Sequence, residues 1–283
     1  MTTPTPLRRL SRGGVGVVLA GGLIASFALP ASAAVAAPAA AAQFILTNMM
    51  PVSNPPTPVE RSAGVVAKRT IGYSVQGRRI VARLYGSATA TRIGVMIGSM
   101  HGNELGGIPV AKRLEKLGAP SGSAMWVIRN LNPDGARKYQ RQNAHKVDLN
   151  RNGTYLWQGT ALSREYYPGP APASEPETKA YISFLEAVKP DVVLIYHQHG
   201  NGVDSYRQKN AGLTQGLAAK MKLAVKSFDC LGECRGTLAG WFNTAQAGAA
   251  LTVELPAKVT TKRVKRWASA ARWSIGYVPD VNR

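Results

Sequence analysis

The chain has 283 residues, with 35 Lys and Arg against 15 Asp and Glu, a formal net charge of +20 at pH 7. Hydrophobic residues make up 45% of it, which excludes a wholly disordered chain and suffices for a single core at this length. The charge calls for a polyanionic partner, but there is no zinc finger, helix-turn-helix or aromatic ribonucleoprotein pattern, so nucleic acid is not the expected one.

Arg8, Arg9 and Arg12 precede an apolar run from Val15 to Leu29, and Ala31-Ser32-Ala33 has the small-x-small form of a signal-peptidase site. Residues 1–33 therefore read as a secretory signal peptide. The Arg8-Arg9 pair has poor flanks for twin-arginine export, so the general secretory route is expected. The run is shorter than the roughly 20 residues that span a bilayer, and no later segment is long and apolar enough to anchor the chain. Residues 34–63 are rich in Ala and Pro, including Pro51, Pro55, Pro56 and Pro58, and are expected to form a flexible lead-in. Residues 64–283 are then one catalytic domain, expected to be monomeric. Outside a cell, its positive charge would meet anionic wall polymers or acidic lipid headgroups, with plain solubility as the alternative reading.

Along that domain, Arg92–Gly98 is an apolar, β-rich run. The spacing of Leu105, Ile108, Ala111 and Leu114 predicts a helix over 104–117, closed by Gly118. Ala124–Arg129 is a further strand, followed by the turn Asn132-Pro133-Asp134-Gly135. Ser174-Glu175-Pro176-Glu177 has the form of a capping box with Ser174 as N-cap, opening a helix that runs to about Val188. Asp191–Tyr196 and Ala249–Leu255 are continuous apolar strands. Strands buried on both faces and alternating with helices predict an α/β fold: a single domain with a mostly parallel mixed sheet covered by helices on both faces.

The chemically suggestive residues fall at strand ends, where open α/β sheets bind ligands. His101 and Glu104 lie three apart just after the first strand, and His197 follows the strand ending at Tyr196. Together they supply the two imidazoles and one carboxylate of a hydrolytic zinc site, which leaves one coordination position for water. In extended chain His199 points to the same side as His197, so it competes as a ligand or faces substrate. Glu254 lies in the apolar run Ala250–Leu255, where a carboxylate is costly to bury without a role, and it is the candidate general base. Arg141 is a candidate for stabilising an oxyanion, against the plainer reading of a solvated arginine in a basic segment. Asn150-Arg151 offers an amide beside a guanidinium, a pair suited to clamping a terminal carboxylate, with a surface ion pair as the dull alternative. Cys230 and Cys234 flank Leu231-Gly232-Glu233 and are placed for a local disulfide in an exported chain.

In this order, His101-Gly-Asn-Glu104, Asn132-Pro-Asp-Gly135, Val147-Asp-Leu-Asn150-Arg151-Asn152, His197 and Thr252-Val-Glu254 resemble the zinc carboxypeptidase family related to carboxypeptidase A. The resemblance covers 64–283. It implies one zinc ion per chain on His101, Glu104 and His197, carboxylate binding by Asn150 and Arg151, oxyanion stabilisation by Arg141 and a general base at Glu254. The stretches beginning at Arg141 and Tyr167 are similar to the short bacterial murein peptide amidases, which cut between γ-D-glutamate and meso-diaminopimelate. Two departures concern the substrate side chain. His199 stands where a tyrosine is usual, and no tyrosine between Cys230 and Glu254 can serve as a lid, which leaves Trp241 as the candidate cap and Thr237–Trp241 as the expected pocket lining.

The expected function is a secreted zinc peptidase acting at the C-terminus of peptides, muropeptides in particular. The alternatives are a general secreted carboxypeptidase, a deacylase of the aspartoacylase or desuccinylase kind, and a non-catalytic wall-binding protein.

Overall fold

The computed structural model describes residues 64–277, except Leu162 and residues 231–233. The signal peptide at 1–33 and the Ala/Pro-rich segment at 34–63 lie outside the described residues. The elements in chain order are β1 (Ala67–Tyr73), β2 (Arg79–Gly86), β3 (Arg92–Ile97), α1 (Gly107–Leu117), β4 (Ser123–Ile128), α2 (Pro133–Lys138), α3 (Pro176–Val188), β5 (Val192–Gln198), β6 (Gly202–Asp204), α4 (Ala211–Met221), β7 (Ala224–Lys226), α5 (Leu238–Ala245), β8 (Ala249–Leu255) and α6 (Thr261–Gly276). The strands form one sheet in the order β1-β2-β4-β3-β5-β8-β6-β7. Its centre, β4-β3-β5-β8, is parallel throughout, while β1 and β2 on one side and the β6–β8 pairing on the other are antiparallel.

Alternation along the central strands sorts their side chains onto two cores. Met96, Leu194 and Leu251 pack with Val110 and Leu114 of α1, Leu217 of α4 and Trp267 of α6. Val95, Ile97, Val193 and Ile195 pack on the other face with Tyr181 and Phe184 of α3 and Leu238 and Phe242 of α5. This is the expected α/β architecture with helices on both faces. Sequence periodicity had offered no short edge strands such as β6 and β7, nor the hairpin β1–β2.

Two boundaries differ from expectation. The first helix begins at Gly107 and not at Glu104, which lies in the loop before it. A Cβ at Gly107 would come within 2.1 Å of the Gly98 carbonyl oxygen and 2.6 Å of Tyr196 Cβ, so the helix start presses onto the ends of β3 and β5. The second is the capping box, which does not form: Glu175 is the N-cap of α3, with no side-chain cap bond. Ser174 Oγ donates to Glu175 Oε1, and buried Glu177 instead accepts from Val75 N and Asn143 Nδ2. Tertiary partners for both carboxylates outcompete the local reciprocal bond.

The acids are mostly turned inward. Among the described residues, the exposed ones are Glu165, Glu186 and Asp229, whereas Lys and Arg stud α1 and α6 with no exposed acid beside them.

Candidate metal centre and substrate cavity

The loop after β3, the end of β5 and the end of β8 meet at one edge of the sheet. In the β5–β8 pairing His197 stands directly beside Glu254. His101 Nδ1 lies 2.9 Å from Glu104 Oε2, His197 Nδ1 lies 2.9 Å from the same oxygen, and the two imidazole nitrogens are 3.2 Å apart. The three side chains are buried, and their donor atoms lie within 4.8 Å of one another. No other group of this kind occurs among the described residues.

The donor set fits a divalent metal on two further observations. His101 Nε2 is engaged by Asp148 Oδ1 at 3.0 Å, which leaves Nδ1 as the ligating atom, the outer-shell arrangement found around metal-bound histidines. And two imidazole nitrogens facing one carboxylate oxygen at these distances have a cation as their natural common partner. Burial opposes the charge on Glu104, but His101 and His197 hold its carboxyl far below the usual range. Burial likewise disfavours protonated His101, and the carboxylates of Glu104 and Asp148 outweigh it, raising the imidazole above its ordinary value.

Asp148 is the hub that sequence reasoning quoted but gave no role. Its Oδ1 accepts from Asn150 N at 2.9 Å and so caps the 3-10 turn Leu149–Arg151, while its Oδ2 accepts from Arg141 Nε at 3.0 Å. Burial pushes against its charge, and His101 and Arg141 hold its carboxyl far below the ordinary range. The signal that could have found it is physical: a ligating histidine needs its other nitrogen held.

Arg141 is not a solvated surface residue. Its main chain is fixed by the Asn132–Gly135 turn, since Asn132 Nδ2 and Gly102 N both donate to Arg141 O. Its guanidinium pairs with Glu104 Oε1 at 3.0 Å and Asp148 Oδ2 at 2.9 Å and lies over the Tyr166 ring. Burial works against that charge, and Asp148 and Glu104 more than offset it.

These groups open onto a cavity of roughly 360 Å3 whose lining includes His101, Arg141, Asn150, Arg151, His197 and Glu254. Glu254 Oε2 accepts from Gly200 N at 3.1 Å. Thr237, Ala239 and Gly240 of the expected segment line it, along with Thr252, quoted in the sequence motif without a role, and Tyr155, Asp204 and Tyr206, which sequence reasoning did not single out. They sit on β6, β8 and two loops, with no shared periodicity to betray them. Burial raises the Asp204 carboxyl above its ordinary value, and the neighbouring Glu254 adds to the shift.

Two expected pocket residues are elsewhere. His199 is exposed and absent from the cavity wall, because β5 ends at Gln198 and strand alternation does not extend to it. Trp241 does not cap the cavity: it is buried in the core against Tyr181 and Phe242. Cys230 and Cys234 are joined by a disulfide, as their spacing allowed.

Comparison with known proteins adds a lineage to this geometry. The sequence pattern described as zinc carboxypeptidase matches residues 122–256, which begin downstream of His101 and Glu104. The murein peptide amidase A of Vibrio campbellii is 30% identical over 212 residues, 70% of this chain and 82% of that protein. The chain belongs to the zinc carboxypeptidase family. Within that family, the murein peptide amidase A of Escherichia coli K12 is 28% identical over 137 residues, 44% of this chain, and the match spans only 57% of that relative's length. Among solved structures, a murein-tripeptide amidase from Escherichia coli O157 superimposes with a TM-score of 0.63 at 22% identity, covering 82% of this chain and all of that one. That likeness establishes the zinc carboxypeptidase fold for this chain. As a family, zinc carboxypeptidases are zinc-dependent peptide hydrolases.

Proposed function

We propose that the protein is a secreted zinc peptidase that hydrolyses the C-terminal peptide or amide bond of its substrate, and that its substrates are cell-wall muropeptides of the γ-D-glutamyl-meso-diaminopimelate type. The observation that carries the peptidase reading is the convergence of the His101, Glu104 and His197 donors with Glu254, Asn150 and Arg151 on one cavity. The named activity of the Vibrio and Escherichia relatives supports the muropeptide reading.

Zinc held by His101 Nδ1, Glu104 and His197 Nδ1 would supply the Lewis acidity that activates water and polarises a carbonyl. The chain's own residues do the rest. Glu254, which ligates nothing, takes the proton from the attacking water and returns it to the leaving amine nitrogen. Arg141 has five N–H groups, and Glu104 and Asp148 engage three of them, so two remain for a developing oxyanion. Asn150 and Arg151 hold the terminal carboxylate and set which bond meets the metal.

The N-terminal signal pattern is what supports secretion. Retention on anionic wall polymers is supported by the basic exterior described above.

The deciding experiment incubates the zinc-loaded protein with a γ-D-glutamyl-diaminopimelate tripeptide, with ordinary L-peptides and with acyl-amino acids, each with and without chelator, and identifies products by mass. Chelator-sensitive release of diaminopimelate alone is expected. Trimming of ordinary peptides would make it a general carboxypeptidase. Release of acetate or succinate from acyl-amino acids would move it to the deacylases, and silence on all of these would favour a wall-binding protein.

A further inference from the structure

Asn150 and Arg151 stand on a 3-10 turn of only three residues, too short to fix two side chains unaided. What fixes them comes from about eighty residues further along. Leu238 N donates to Asn150 Oδ1 at 3.1 Å, which occupies the amide oxygen and leaves the amide nitrogen as the free donor. Gly153 N donates to Gly236 O at 2.7 Å and Gly236 N to Tyr155 O at 2.6 Å, a reciprocal backbone bridge. Gly236 has φ +64°, and a Cβ there would lie 1.9 Å from Arg151 O, so the bridge presses directly on the arginine's main chain. The guanidinium is held at its far end: Nη1 donates to Asn150 O at 2.8 Å, Nη2 lies 3.5 Å from Cys230 Sγ, and the Tyr166 ring lies beneath.

Cys230 and Cys234 both line the cavity, and their bond ties the start of this wall four residues from where it began. We infer that the Cys230–Cys234 disulfide is a positioning element for the carboxylate clamp: it holds Cys230 against Arg151 and keeps Gly236 and Leu238 in register with Asn150 and Arg151. The inference rests on the reading of Asn150-Arg151 as the clamp. A cross-link removes conformations from the chain it ties, and here it fixes the sulfur beside Nη2 and anchors Cys234, two residues before Gly236 and four before Leu238, whose backbone groups bond to the clamp turn. The metal donors have orienting contacts of their own, His101 to Asp148 and Glu104 to Arg141, none of them made by residues 230–238. The bond should therefore govern recognition of a terminal carboxylate and leave metal binding alone.

The test uses the zinc-loaded full chain carrying Glu254→Gln, so that substrates bind without turning over. Calorimetry compares a peptide bearing a free C-terminal carboxylate with its C-terminal amide. Adding Cys230→Ser and Cys234→Ser should weaken the carboxylate peptide on the order of tenfold and leave the amide and the zinc content unchanged. Should the double variant fold poorly, reduction of the unaltered disulfide with a non-chelating phosphine should reproduce the loss, and reoxidation should restore affinity. An unchanged carboxylate affinity, or an equal loss for both peptides, in folded, zinc-loaded protein overturns the inference. If the disulfide-bonded protein does not distinguish the two peptides, the clamp reading itself fails before any cysteine is altered, and the inference falls with it.

Discussion

The metal end and the clamp end of the cavity are built on different principles. His101 and Glu104 are three residues apart and touch each other, and their side chains are oriented mainly by charged partners inside the protein, with Gln198 N donating to Glu104 Oε2 beside them. Asn150 and Arg151 are adjacent in sequence, only half-buried, and depend on backbone bonds and a disulfide from residues 230–238. Rigid electrostatics suits chemistry that must be placed to a fraction of an ångström. A wall of loop contacts suits recognition, which can change from one substrate to another without disturbing the metal.

Four variants would break or sharpen that contrast. Glu254→Gln should have the largest effect, lowering kcat by about 10³-fold with zinc content unchanged by metal analysis. Near-normal turnover in that variant would remove Glu254 from the role of base. Asp148→Asn comes next, since it touches both ends through His101 Nε2, Arg141 and Asn150 N. Zinc affinity, measured by competition with a chelating dye, should fall about 10- to 100-fold, with a rise in KM alongside. A pure KM effect would show that the two ends are separate even at this residue.

Arg151→Lys keeps the charge and loses the planar fork. KM for a free-carboxylate substrate should rise about tenfold with kcat little altered. A fall in kcat instead would tie the clamp to the chemistry. Asp134→Asn serves as the control outside both ends. Burial opposes the Asp134 charge, but Gln76 N, Arg78 and Ser74 together hold its carboxyl below the ordinary 3.8. A depressed carboxyl contributes stability that is present above its unfolded value and lost as pH falls through its folded one. Thermal melts should therefore show the variant less stable by about 1 kcal/mol at neutral pH, converging with the unaltered protein as pH drops below 3.8, with catalytic constants unchanged.

The same contrast explains what could be read from the chain beforehand. The central strands announced themselves because burial on both faces leaves uninterrupted apolar runs, as in Ser123–Ile128 and Val192–His197. The His101–Glu104 spacing was visible because both residues turn a donor atom toward one point. Asn150-Arg151 was legible as a chemical pair, but its support from Gly236 and Leu238 was not, since no local pattern links segments so far apart. His199 and Trp241 were misplaced for related reasons. One was assigned by extending a strand past its end, and the other by assuming that a large aromatic near the pocket would face it, when the core claimed it. Ser174 obeyed a local motif that a more favourable tertiary bond overrode.

The inward placement of the acids has a consequence for the outside of the molecule. Among the described residues few carboxylates lie at the surface, so an acidifying medium finds little exterior negative charge to neutralise, while lysine and arginine keep their charge. The proposed retention of the protein on anionic polymers therefore does not depend on a positive charge that mild acid removes. Salt, and not acidity, is what would loosen it from an anionic matrix.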